Sequence, residues 1–60
     1  MDSEYYLQFL EEIDAGNHTL TNWEIDFTED MLKNRPYSLT DNRKEVIRRM
    51  TRKYLQVEVE

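Results

Sequence analysis

Three groups of residues in this chain have the types and spacing to do chemistry. The first is basic. All eight Lys and Arg residues lie between Lys33 and Lys53. Arg43, Lys44, Arg48, Arg49, Arg52 and Lys53 form a basic face on one segment, suited to phosphates or to an acidic protein surface. The second group is acidic. Residues 1 to 32 hold nine carboxylates and no Lys or Arg. Within it, Asp26, Glu29 and Asp30 share one polar arc. Together with Glu11, Glu12 and Asp14 they can imitate an array of phosphates and occupy a DNA-binding cleft. The third candidate is His18, in the polar run Gly16-Asn17-His18-Thr19.

Each group also has a plainer reading. The basic face is solvated, or neutralised by the acidic first helix. The carboxylates confer solubility. Asp26 and Asp30, one turn apart, hold a divalent ion only weakly, and carboxylates at that spacing are common on helices. His18 has no thiol or second imidazole beside it, so nothing marks it as a catalytic base. The chain has no phosphate-cradling Gly-rich loop, nucleophile elbow or metal-ligand spacing. No catalytic residue, cofactor site or metal site is expected, and the protein reads as not an enzyme.

Composition narrows the choice further. The 60 residues carry a net charge of −5, distributed as an acidic first half and a basic stretch from Lys33 to Lys53. Such a dipole either neutralises itself in the fold or presents one pole to a partner. Modules that bind nucleic acid usually have a pI above about 9, whereas this chain is acidic. Cysteine is absent, which excludes disulfides and thiolate metal sites and fits a reducing compartment. No apolar run approaches the roughly 18 residues of a membrane span. A soluble, cytoplasmic protein with no membrane role is expected.

Three helices are predicted to position these groups. The first covers about 3 to 15, with Tyr6, Phe9, Leu10 and Ile13 at i, i+3, i+4, i+7. Asp2 or Ser3 is expected to cap it, and Gly16 to take a left-handed conformation past its end. The second covers about 22 to 33. Thr21 and Glu24 have the spacing of a capping box, with Leu20 and Ile25 as a hydrophobic staple. Its apolar residues, Trp23, Phe27 and Met31 on one side and Ile25 and Leu32 on another, predict that helix two is the central one. Pro36 ends it. The third covers about 41 to 56, after Leu39-Thr40, with Val46, Ile47, Met50, Tyr54 and Val57 as its stripe. The expected fold is a single all-α domain over residues 1 to 57, with 58 to 60 a frayed acidic tail. The expected core is Tyr6, Phe9, Leu10, Ile13, Trp23, Phe27, Met31, Ile47, Met50 and Tyr54. Tyr5, Leu7, Ile25 and Leu32 are left over, and with the opposite poles they favour an antiparallel homodimer.

Leu20, Thr21, Trp23, Glu24 and Phe27 form the pattern Leu-Thr-x-Trp-Glu-x-x-Phe. Leu39, Thr40, Arg43, Val46, Ile47, Met50 and Lys53 follow as a second Leu-Thr pair and a basic helix. In this order residues 20 to 54 resemble a short helical module of phage and prophage accessory proteins. Arg43 stands where that module has Gln. The resemblance implies a bacteriophage origin, the bacterial host cytoplasm as location, and an accessory role without a catalytic residue. The leading expectation is a non-catalytic phage protein acting on a host or phage protein, inhibiting or redirecting a host enzyme. The alternative is a small nucleic-acid-binding module using the basic face of helix three.

Overall fold

A computed structural model describes the backbone from Asp2 to Val59 and the side chains from Ser3 to Val59. Three helices account for most of it: α1 (Asp2–Ala15), α2 (Asn22–Asn34) and α3 (Asp41–Tyr54). There is no strand among the described residues.

Local chemistry sets the helix limits. At the start of α2, the Thr21 side chain accepts from the Glu24 amide at 3.1 Å, and Glu24 Oε1 accepts from the Thr21 amide at 2.9 Å. This reciprocal pair satisfies two donors that the first turn would otherwise leave open. Thr40 begins α3 by accepting from the Arg43 amide at 3.2 Å. α2 ends at Arg35, which takes a left-handed φ of 44° while its amide donates to the Met31 carbonyl. α3 stops at Tyr54, two residues before its expected end, because Gln56 turns into the left-handed region at φ 57°.

Two expected end devices are replaced by others. Gly16 does not have a positive φ. Its amide donates to the carbonyls of Glu12 and Ile13, and the His18 ring lies where a Cβ would stand, 2.7 Å away. A Cβ there would have to push the His18 ring aside, so glycine is favoured by close approach and not by backbone handedness. Ser3 lies inside α1, so it does not cap it. It is buried, and its hydroxyl donates 2.8 Å to the Tyr37 carbonyl in the α2–α3 connection. The side chain of Asp2, the other expected cap, lies outside the described residues.

The central helix is α1, not α2. α1 packs against both α3 and α2, which make no comparable backbone approach to each other. The core holds Tyr6, Leu7, Leu10, Ile13, Met31, Leu39, Ile47 and Met50. The sequence pattern misled at two points. Leu7, expected to be left over, is fully buried. Trp23, expected in the core, is 59% exposed. Without Trp23 the buried face of α2 shrinks to Glu24, Thr28 and Met31, enough for one neighbour only. Phe9, Phe27 and Tyr54 pack on the edge of the core. Tyr5 and Ile25 are exposed as expected, and Leu32 is half-buried. Beyond Gln56 the chain turns back on α3. Glu58 pairs with Arg52 at 2.7 Å and Val59 packs against the core edge. Glu60, the last residue of the expected tail, lies outside the described residues.

Candidate functional site

α3 carries the basic pole, and its charges are mostly engaged within the chain. Arg48 donates to the Tyr6 hydroxyl at 3.0 Å, lies 5.6 Å from the ring centroid, and meets Glu45 at 3.5 Å. Lys44 stands over the other part of that surface, 5.8 Å from the same centroid. Both cations therefore clasp α3 onto α1 through one aromatic ring. Arg49 pairs with Glu45 at 3.4 Å and Arg52 with Glu58 at 2.7 Å. Lys53 approaches Glu24 at 3.4 Å and the Tyr54 ring at 5.0 Å. Arg43 is exposed at the start of the helix. The six basic residues thus have five surroundings: Tyr6 for Lys44 and Arg48, Glu45 for Arg49, Glu58 for Arg52, Glu24 and Tyr54 for Lys53, and solvent for Arg43. Arg48, Arg49 and Arg52 line one groove, with Glu45 and Glu58 among them.

The acidic arc of α2 is different. Asp26, Glu29 and Asp30 are all exposed. Asp30 accepts from the Asn34 side-chain amide at 2.7 Å. No ion pair to any of the three occurs among the described residues. The other acidic side chains near basic groups behave oppositely. Glu4 and Glu11 of α1 hold the Arg35 guanidinium from two sides, at 3.1 and 2.7 Å. These bonds to Glu11 and Glu4 push Arg35 above its ordinary pKa, so the group is a permanent cation.

Glu24 is a junction that sequence spacing shows only in part. Its cap role is legible at i, i+3. Its other partners come from 29 and 30 residues away: the Lys53 ammonium, and the Tyr54 hydroxyl, which donates to Oε1. The carboxylate is nearly buried, with 11% of its side chain exposed. Burial alone would push its pKa up. The Tyr54 hydroxyl, the Thr21 amide and the Lys53 charge outweigh burial and hold it below the ordinary glutamate value. Lys53 is correspondingly raised by Tyr54 and Glu24. His18 lies beside the same junction, with its ring 5.3 Å from that of Tyr54. The bonds of Glu24 to Tyr54 and Lys53 fasten α2 to α3.

Because α2 and α3 both lean on α1 and diverge from each other, a groove of about 260 Å³ opens between them. Val46 and Met50 of α3 and Trp23 of α2 line it, with Arg49 and Lys53 on its rim. Trp23 stacks on Phe27, centroids 5.4 Å apart and planes 7° apart. Among the described residues no three His, Cys, Asp or Glu side chains converge as a metal site, and no helix is long and apolar enough to cross a membrane. Comparison with family models, with curated proteins and with solved structures finds no match.

Proposed function

We propose that this chain is a non-catalytic interaction protein whose acidic pole, Asp26, Glu29 and Asp30, recognises a basic surface on a partner protein. One observation carries the reading. Among the described residues the carboxylates of that arc have no ion-pair partner, whereas Arg48, Arg49, Arg52 and Lys53 already face carboxylates of the same chain. An exposed arc of like charge on a short rigid helix gives fast, orientation-specific encounter with an opposite potential. A cleft that handles nucleic acid has such a potential, so an enzyme of that kind is the fitting target. The reading agrees with the phage accessory role implied by residues 20 to 54, in which a host enzyme is inhibited or redirected in the host cytoplasm. It ranks the nucleic-acid alternative second, since phosphate would share Arg49 and Arg52 with Glu45 and Glu58.

Affinity capture from bacterial lysate, with and without nuclease, tests the proposal. A stoichiometric protein partner that survives nuclease supports it. Capture that depends on nucleic acid overturns it. Titration of labelled duplex and single strand at ~0.15 M salt provides the counterpart. The account predicts no binding at micromolar protein. Binding whose log affinity falls steeply with log salt would restore the basic face as the site.

A further inference from the structure

The groove between α2 and α3 carries charges on its two sides in a particular order. On α3, Arg49 and Lys53 stand one turn apart, next to Val46 and Met50. On α2, at 100° per residue, Trp23 and Phe27 lie between the buried face and the arc of Asp30 and Asp26. Crossing the surface from α3 to α2 therefore meets basic residues, then an apolar strip, then acidic residues. The strip contains the most exposed large apolar side chain of any helix, Trp23 at 59%.

Such a surface is complementary to itself. A two-fold axis laid along the groove brings apolar strip onto apolar strip. It also places the basic edge of each copy over the acidic edge of the other, twice by symmetry. A basic or an acidic heterologous peptide would satisfy one edge and oppose the other. We infer that the occupant of this groove is a second copy of the chain, with Trp23 at the centre and Arg49 and Lys53 facing Asp26 and Asp30 of the partner copy. The Cα trace measures only 27 × 23 × 18 Å. A face of this size offers at most a small interface, and micromolar association is the range that the test below covers. Of Tyr5, Leu7, Ile25 and Leu32, expected from sequence to be left over, Leu7 is buried in the core, and this groove offers Trp23 in its place. The dimer covers Asp26 and Asp30, so self-association and capture of a heterologous partner exclude each other. The inference goes beyond the proposed function and needs no heterologous partner for its test.

Sedimentation equilibrium on the purified chain, from about 1 to about 500 µM, reads the association directly. Trp23 is the one tryptophan of the sequence, so its emission also reports burial on the same concentration scale. The expected result is a monomer–dimer equilibrium whose midpoint coincides with a blue shift of Trp23. Arg49→Glu, at a side chain 79% exposed, is expected to weaken the dimer at least about tenfold, because the repulsion acts twice. Asp26→Lys with Asp30→Lys is expected to do the same. Mixing the two reversed chains re-pairs both edges and restores dimer as a heterodimer, which a merely misfolded variant would not do. A monomer throughout the range overturns the inference. So does a dimer that ignores both reversals, or reversed chains that do not combine when mixed.

Discussion

Tyr54, the last residue of α3, donates its hydroxyl to Glu24, the carboxylate that closes the capping box of α2. Two helices with little direct backbone contact are thereby joined through one buried acid. A surface cap of this kind usually contributes about 1 kcal/mol, and here the same carboxylate also serves tertiary structure.

Glu24→Gln keeps an acceptor in place but removes the charge that Lys53 and Tyr54 address. A loss of about 1–2 kcal/mol at pH 7 is expected from urea denaturation. The sign of the pH dependence follows from the lowered pKa of Glu24. Its contribution is complete above the ordinary glutamate value of 4.5 and disappears as pH falls through the lower folded value. The gap between wild type and Glu24→Gln should therefore close on acidification below that value. A gap unchanged between pH 7 and pH 3 would show that the charge is not what joins the helices.

Thr28 and Thr51 are both buried, yet only one hydroxyl is satisfied. Thr51 donates to the Ile47 carbonyl at 2.7 Å. The Thr28 hydroxyl has no hydrogen-bond partner among the described residues. Thr28→Val keeps the shape and removes an unsatisfied polar group, so a gain of about 1 kcal/mol is expected, whereas Thr51→Val should give none. Thermal denaturation of the two variants side by side measures this. Equal effects of the two substitutions would contradict the assignment.

Arg35 holds two roles that can be separated. Its backbone is left-handed at φ 44°, which costs a non-Gly residue roughly 1 kcal/mol. Its side chain spans Glu4 and Glu11, exposed pairs of modest worth. Arg35→Gly loses the pairs and relieves the backbone. Arg35→Ala loses the pairs and keeps the strain. The alanine variant should be the less stable of the two by about 1 kcal/mol in chemical denaturation. The reverse order would mean that the turn relaxes out of the left-handed region.

The parts of the fold legible in the sequence were those written locally. The Thr21–Glu24 box and the Thr40 cap fix where α2 and α3 begin, and three helices of nearly the expected length follow from caps and apolar spacing. What failed was the assignment of faces between helices. Trp23 and Leu7 show why. A helical stripe identifies which residues share a side, but not which side meets a neighbour when a helix has apolar residues on more than one. In the candidate site, the acidic arc was visible as a run of like charge on α2. The pairing of the basic pole was not, because Arg48 with Tyr6 and Lys53 with Glu24 are contacts across 42 and 29 residues.

The central claim is that the unpaired acidic arc is the recognition surface and the paired basic helix is not. The most direct test is capture of the lysate partner by two charge-reversed chains. One carries Asp26→Lys, Glu29→Lys and Asp30→Lys. The other carries Arg48→Glu and Arg52→Glu. Helicity by circular dichroism should change little for the first, since all three residues lie on the exposed arc of α2. The account predicts that the acidic reversal abolishes capture and that the basic reversal retains it. Capture lost with the basic reversal and kept with the acidic one would contradict the account.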